Sequence, residues 1–513
     1  MVNGFDRSFV LVYNNKKEHM CVCLLSATKK GEVKNVYRTQ QIRIKKGHRL
    51  YPYCDQLTFL AKNLYNATNF HIRQIFTAFG EGKNLQPLQQ EVFYLIDQHL
   101  PQMNAIKRKT VEKKRQKELK KPVDERQEIQ DAVLFEYPSA QQKWPSYAFL
   151  DSLFKVSENV DYLALPGQVN QQVMRRVFQN WKAYFASLKE YQVHPHKYTG
   201  RPKIPKYAPK NGRIACVFSN QVCKVKDDKY VRFPHTKERL NIGKLGLKGP
   251  LQQVRMIPTY GEYTIELVIR KEEEKPLVEL DEQHIMGIDL GVDCLATIVD
   301  NTGSSPVIIK GQAVKSINQY YNKQRAHYSR VLRHGKGPKE GSFQSKRLQR
   351  LDQKRFFKLK DAFHKASFHI VQLALARKVS TIVIGVNKGW KQKVSLRKQD
   401  KQHFQTLPHA MLIRMIAYKA EAYGIHVHQQ EESYTSKASL VDMDELPLYE
   451  KGVPAKVRFS GQRVKRGLYR TKENTCIHAD VNAAGNIIRK VVPNAFAKGI
   501  EGVVSRPLML SIV

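Results

Sequence analysis

Acidic residues are the scarce charge in this chain: 46 Asp and Glu stand against 87 Lys and Arg in 513 residues, a net charge of +41. Self-repulsion of that size excludes an ordinary metabolic enzyme and calls for a polyanion to offset it, either nucleic acid or an anionic membrane surface. Long apolar runs are missing as well. Stretches such as Phe9 to Tyr13 and Ile370 to Ala376 fall far short of the roughly 18 residues that span a bilayer. The N-terminus lacks a basic segment followed by a continuous apolar one, so no secretory leader or membrane association is expected and cytoplasmic residence is the default. Cysteine is sparse: the seven residues Cys21, Cys23, Cys54, Cys216, Cys223, Cys294 and Cys476 include no CxxC pair. An odd number scattered through a long chain excludes a secreted disulfide framework, and reduced thiols are expected. Cys21 and Cys23 alternate as half-buried strand residues would. With 42% hydrophobic and 10% aromatic residues the chain is nevertheless too apolar for a disordered polycation. Its length predicts two to four domains with real cores.

Strand-like alternation runs from Phe9 to Leu24 on either side of Asn14-Asn15 and resumes from Gln40 to Ile44. From Tyr51 to about Asp131 the period becomes helical, with Leu57, Leu60, Ala61, Leu64 and Tyr65 at steps of three and four. Lys107 to Lys121 holds nine basic and two acidic residues. That run is either a solvated helix face or a nucleic-acid contact, and position alone does not choose. Val173, Val177, Trp181 and Phe185 mark an amphipathic helix from Val169 to Leu188. The segment Lys197 to Tyr207, broken by Gly200, Pro202 and Pro205, sets basic groups between aromatics in an extended form suited to a phosphate backbone with stackable bases. Short apolar runs from Ile214 to Ile269 return to β structure, and Lys271-Glu-Glu-Glu-Lys275 with Pro276 reads as a linker.

After that linker Ile285 to Gly291, Leu295 to Val299 and Val307 to Lys310 read as three strands, with a turn at Asp300-Asn-Thr-Gly303. A long helical region follows, Leu348, Leu351, Leu359, Phe363, Ala366, Ile370 and Leu373 keeping one face and Lys346, Arg347, Arg350, Lys354 and Lys358 a basic one. Thr381 to Val386, His409 to Tyr423 and Ile425 to Gln429 read as strand, helix and strand, and a last helix starts near Asp480. The order β-β-β-α-β-α-β-α is that of a ribonuclease-H-like domain. Asp289 lies in the first strand among small neighbours, Glu431 and Glu432 end the fifth, and Asp480 opens the last helix. Carboxylates delivered from separate elements can converge, and hard oxygen ligands suit Mg²⁺. Two such ions about 3.5–4 Å apart serve phosphodiester hydrolysis. Taken singly, Asp480 is equally an N-cap, and Gly287-Ile-Asp-Leu-Gly291 also resembles the phosphate-binding hairpin of actin-like ATPases. The positive surplus favours the nuclease.

Gly47-His-Arg-Leu-Tyr51, Ala61-Lys-Asn-Leu-Tyr-Asn66 with Arg73-Gln74, Thr199-Gly-Arg-Pro-Lys203, Gly287-Ile-Asp-Leu-Gly291, Gly385-Val-Asn-Lys-Gly-Trp-Lys391, Glu432-Ser-Tyr-Thr-Ser436 and Ala479-Asp-Val-Asn482 together resemble TnpB, the transposon-encoded RNA-guided DNA endonucleases related to type V CRISPR effectors. The resemblance implies an α/β fold with β and α parts. Its components would be a wedge-like β-barrel domain from 1–50 and 201–275, a helical recognition domain at 51–200, and a RuvC-like nuclease domain at 283–432 and 477–513. A target-nucleic-acid-binding insertion would lie at 433–476. It implies Asp289, Glu432 and Asp480 as catalytic acids and Mg²⁺ ligands, and placement in the insertion makes Arg463, Arg466 or Arg470 candidates to support charge nearby. The expected partners are a guide RNA from the transposon end and target double-stranded DNA, read next to a short duplex motif. No membrane is expected, and a monomer in the complex inside a prokaryotic cell, near the nucleoid, is. Two departures stand out. Family members commonly carry the second acid at the end of the fourth strand, where this chain reads Thr381-Ile-Val-Ile-Gly385, so the motif makes Glu432 the substitute in preference to Glu431. Many relatives also hold a four-cysteine zinc ribbon before the last Asp, whereas 433–476 offers only Cys476, so no structural zinc is expected. The missing fourth-strand acid keeps a nuclease-inactive RNA-guided DNA-binding protein as the alternative.

Overall fold

The structure, a computed structural model, describes residues 9–13, 20–25, 36–79, 84–243, 247, 249–271, 278–387, 406–447, 457–497 and 499–512. The thiols of Cys21 and Cys23, the charged linker at 272–276, the motif residues 388–391 and the insertion's Lys451 and Lys456 lie outside the described residues. Two compact units divide the chain, Ile42–Leu267 forming one and Met1–Gln41 with Val268–Val513 the other. Strands β1 (Phe9–Tyr13), β2 (Met20–Leu25) and β3 (Val36–Ile44) form an antiparallel meander.

The unit Ile42–Leu267 begins with α1 (Tyr51–Ala78), α2 (Pro87–Leu119), α3 (Tyr147–Val156), α4 (Val160–Leu163) and α5 (Gly167–Val193). Pro52 sits in the first turn of α1, where its missing N–H costs nothing. Cys54, Leu57, Ala61, Leu64 and Ile72 bury one stripe of that helix, and α5 buries Val173, Val177 and Trp181 at four-residue steps. The two helices lock where Trp181 Nε1 donates to Asn69 Oδ1 at 2.9 Å. The same face of α1 carries the extended basic segment. Asn66 Nδ2 donates to the Ala208 carbonyl at 3.0 Å, its Oδ1 accepts the Ala208 N–H at 2.8 Å, and Asn69 Nδ2 donates to the Pro205 carbonyl at 3.1 Å. A chain that its prolines keep out of regular structure thereby has its backbone polar groups satisfied by a helix. Strands β4 (Cys216–Ser219), β5 (Lys224–Lys226), β6 (Tyr230–Arg232), β7 (Arg239–Asn241), β8 (Leu251–Thr259) and β9 (Glu262–Lys271) follow. β8 lies between β4 and β9, and β5-β6-β7 form a separate sheet. The two-residue turn from β8 to β9 needs positive φ at both positions, and Tyr260 and Gly261 supply φ of 49° and 80°.

In the other unit β10 (Asp281–Asp289), β11 (Cys294–Asp300) and β12 (Val307–Lys310) run antiparallel to one another. They lead into α6 (Gln312–Arg333) and α7 (Lys346–Ala376). Next come β13 (Val379–Gly385), α8 (His409–Glu421), β14 (His426–Gln430), the short strands β15 (Gln462–Lys465), β16 (Leu468–Arg470) and β17 (Cys476–His478), then α9 (Ala479–Arg489) and β18 (Leu508–Leu510). Six strands order as β14-β13-β10-β11-β12-β18, with β13 parallel to both β10 and β14. The fold of this unit is mixed α/β. Period-two alternation gives the sheet two apolar faces. Met286, Ile288 and Ile384 pack with Phe363, Ile370 and Ile416 from α7 and α8, while Ile285, Val299 and Val383 pack with Ala484, Ile487 and Ile488 from α9.

Two features differ from the sequence expectation. The helical region after β12 is a pair, α6 and α7, instead of one helix. The C-terminal stretch is more than a tail, because β18 pairs in parallel with β12 from Val307↔Leu508 to Ile309↔Leu510. A three-residue strand behind Pro507, with Leu508 and Met509 more than half exposed, has no alternation to read.

Candidate active site

Asp289 is the last residue of β10, and the close approach of α9 brings the other acids toward it. Position 287 must be glycine for that approach: a Cβ there would lie 2.4 Å from the Ala484 carbonyl oxygen and 2.6 Å from Ile488 Cγ1. With no side chain between them, the helix backbone rests on the strand and its first turn, holding Asp480, stands beside the strand end. Asp480 occupies the positive end of the helix dipole. Glu432 follows β14, two strands from β10, in the loop after Gln430.

The charges of Glu432 and Asp480 both reach Asp289. Burial first, then the charges of Glu432 and Asp480, push the Asp289 carboxyl well above the ordinary aspartate value, with Arg463 pulling the other way. Burial, and next the Glu431 charge, push Glu432 up to about 7. Adjacent Glu431 behaves oppositely. Although burial works against its ionisation, bonds from Lys490 and Ser433 hold it below the usual range. Lys490 Nζ donates to its Oε2 at 2.7 Å and the Ser433 N–H to its Oε1 at 2.6 Å. The two neighbouring glutamates therefore part company: Glu431 is tied to α9's end, and Glu432 turns toward Asp289.

Gly385 makes that turn possible. A Cβ at the end of β13 would stand 2.6 Å from Glu432 Oε2 and 2.5 Å from Ile487 Cδ1, so the Glu432 carboxylate fills the space that a side chain from the fourth strand would take. Asn387 holds it there in both directions, donating from Nδ2 to Oε1 and accepting the Glu432 N–H at Oδ1, each at 3.2 Å. Glu432 Oε2 is buried with no hydrogen-bond donor among the described residues. An orphaned buried carboxylate oxygen is costly. With Glu432 and Asp480 both repelling Asp289 and only hard oxygen donors on offer, the set suits a divalent cation such as Mg²⁺.

Cations from the β15–β16 hairpin reach Asp480 and the neighbouring Asp293. Arg463 Nη2 lies 3.3 Å from Asp480 Oδ1, and Arg466 Nη2 2.6 Å from Asp293 Oδ2. Arg470 stands on β16 across from Gln462. The hairpin rests on a small core in which Tyr469 is fully buried, its hydroxyl donating to the Lys437 carbonyl at 2.8 Å. Sequence reasoning missed Asn387, Lys490 and the role of Gly385. The one available signal was a glycine at a strand end where an acid was expected, opposite a Glu-Glu pair on the next strand.

Residues 268–391 match the family described as "Probable transposase", and residues 409–487 match the "Cas12f1-like, TNB domain". No curated protein sequence matches the chain. Among solved structures, a Cas12f1-sgRNA-target DNA complex is similar at a TM-score of 0.42 and 13% identity, over 88% of this chain and 98% of that one. A CRISPR-Cas12f ternary complex is similar at 0.30 and 14%, over 78% and 81%, and an AacC2c1-sgRNA binary complex at 0.27 and 9%, over 86% and 70%. Among the described residues no helix is long and apolar enough to cross a membrane.

Proposed function

We propose that this chain, whose motifs resemble TnpB and whose residues 268–391 and 409–487 match a probable-transposase family and a Cas12f1-like TNB domain, is an RNA-guided, Mg²⁺-dependent DNA endonuclease. It would cut double-stranded DNA complementary to a guide RNA next to a short duplex motif. The observation that carries the reading is the buried Glu432 carboxylate oxygen that lacks a donor among the described residues, beside an Asp289 on which the charges of Glu432 and Asp480 both act. The sheet order β14-β13-β10-β11-β12 supports a ribonuclease-H-like, RuvC-type domain. Held by Asp289, Glu432 and Asp480, Mg²⁺ would activate water and stabilise the leaving oxygen.

The remaining work falls to side chains. Asn387 fixes the rotamer of Glu432, Lys490 draws Glu431 away so that only one of the pair faces the site, and Arg463 and Arg466 lend positive charge where a phosphate would enter. The net charge of +41 supports the guide RNA and target DNA as partners, since such a surplus tracks a phosphate backbone. The domain organisation that goes with this reading is the wedge-like β domain at 1–50 and 201–275, the helical recognition domain at 51–200, and the nuclease domain at 283–432 and 477–513. Segment 433–476 would be its target-nucleic-acid-binding insertion.

The test is cleavage of a plasmid library, carrying a guide-matched target beside randomised flanks, by the protein purified with co-expressed RNA in Mg²⁺. Linear product that depends on the guide, vanishes in Glu432→Ala and persists in Glu431→Ala is the expected result. Tight guide-dependent binding without any cut product would sink the endonuclease reading and leave the nuclease-inactive binding protein.

A further inference from the structure

Beside the three acids, and sharing Asp480 with them, stand a thiol and an imidazole that the nuclease chemistry does not use. Cys294 opens β11, His478 closes β17 and Asp480 stands in the first turn of α9. A sulfur, an imidazole nitrogen and a carboxylate oxygen from these residues lie within 4.8 Å of one another, all half-buried and so open to solvent ions. We propose that Cys294, His478 and Asp480 bind a borderline-soft divalent cation, with Zn²⁺ the best fit, and that this ion withdraws Asp480 from the Mg²⁺ site and holds cleavage off.

The donor chemistry separates the two kinds of ion. Mg²⁺ takes oxygen and gains nothing from a thiol or an imidazole, whereas thiolate, imidazole and carboxylate are the three ligand types of zinc. Zinc–ligand bonds of about 2.0–2.3 Å set tetrahedral donor-to-donor edges near 3.5 Å, so the side chains close by about 1.3 Å at most, which rotamer adjustment at half-exposed positions can supply. The His478 Nδ1 accepts the Asp480 backbone N–H at 3.2 Å, so the imidazole already stands against the residue with which it would share the ion. The Cys294 sulfur and the Asp480 carboxylate lie within 4.8 Å of each other. On binding, the S–H proton leaves to solvent and the ion takes its place between sulfur and carboxylate. One thiolate, one carboxylate and a neutral imidazole then balance the 2+ charge, with a fourth position left for water. Two existing contacts yield: the capping bond to Nδ1, and the Arg463 guanidinium 3.3 Å from Asp480. This arrangement is separate from the four-cysteine ribbon of relatives, because Cys294 lies outside the 433–476 insertion.

The effect on cleavage rests on the reading of Asp480 as a Mg²⁺ ligand, but the binding itself does not. The test therefore reads both. The purified protein–RNA complex is titrated with Co²⁺ as a spectroscopic stand-in for Zn²⁺, and its Mg²⁺-dependent cleavage is followed as Zn²⁺ is added. Expected are a thiolate-to-Co²⁺ charge-transfer band that Zn²⁺ erases, its loss in Cys294→Ser and its retention in Cys476→Ser. The Zn²⁺ concentration that halves cleavage should rise at least about tenfold in Cys294→Ser and in His478→Gln. Thermal melts confirm that each variant is folded. A folded wild type without the band, or a band that survives Cys294→Ser, overturns the site. A band with cleavage indifferent to Zn²⁺ overturns the competition for Asp480. A band in a protein that never cuts DNA keeps the metal site and removes the nuclease reading instead.

Discussion

Gly385 and Glu432 divide one position between two strands: the fourth strand contributes an empty backbone and the loop after the fifth contributes the acid. Gly385→Ala puts a methyl group into the space of the Glu432 carboxylate and of Ile487. Overpacking at such a site costs about 1–3 kcal/mol, so denaturant unfolding should register that loss and guide-dependent cleavage should fall with it. An unchanged midpoint with full cleavage would mean that the carboxylate sits elsewhere. Arg463 is the second residue whose effect has a sign. It favours the ionised form of Asp289 and lies 3.3 Å from Asp480 Oδ1, and removing it deepens the repulsion around Asp289. Arg463→Ala is expected to slow single-turnover cleavage by about a hundredfold, the scale for losing one preorganised charge-stabilising donor, with guide-RNA affinity kept within a few-fold. Arg463→Lys should recover part of the rate, since the charge returns without the planar fork.

At the level of elements, α9 organises both sides of the site. Asn482 Nδ2 and Asn486 Nδ2 each donate to the Ala438 carbonyl at 2.8 Å, and Asn482 Oδ1 accepts the Leu440 N–H at 2.8 Å. The loop after Glu432 is thus fastened to the helix that carries Asp480. Asn482→Ala leaves a buried N–H and weakens a carbonyl's bonding, at a cost of about 1–3 kcal/mol, and Asn486→Ala should cost less because Asn482 still serves Ala438. Since the two share an acceptor, the double variant should depart from additivity by more than about 0.5 kcal/mol in unfolding experiments. Additive losses would show that the helix and loop are held by other contacts. These contacts also mark where sequence reading stops. The strands β10, β11 and β13, the helices α5 and α8, and the start of α9 were legible because continuous apolar runs, period-four stripes and an acid-led helix start are local signals. Asp289, Glu432 and Asp480 were legible as candidates for the same reason. The bonds from Asn387, Lys490, Asn482 and Asn486 were not, because each joins residues 42 to 59 positions apart through a register that only the folded sheet defines. β18 stayed hidden because three residues carry no period.

For the whole molecule, two charge effects of opposite range should be measurable. The short-range one is Lys419, buried between α7 and α8, where Nζ donates to the His364 carbonyl and to Ser367 Oγ, each at 2.7 Å. Burial lowers its pKa to about 7, against roughly 10.4 in an unfolded chain. Between those values the unfolded state binds one more proton than the folded state, so stability rises with pH by up to about 1.4 kcal/mol per unit from near pH 7 toward pH 10. Lys419→Met should remove that part of the slope, read as the difference between the two unfolding-versus-pH curves; parallel curves would mean that Lys419 keeps its proton in the fold. The long-range effect is the +41 surplus. If it exists to track phosphates, binding releases condensed counterions, and six or more contacts make affinity fall with salt at a logarithmic slope of about −4 or steeper. Raising salt from about 50 to 200 mM should then weaken guide-RNA binding by at least about a hundredfold. Unfolding stability of the free protein should move the other way, because the same salt screens its self-repulsion. The two responses together separate a nucleic-acid binder from a protein that is merely basic: screening alone steadies the fold of either, but only phosphate contacts make the loss of affinity scale with their number.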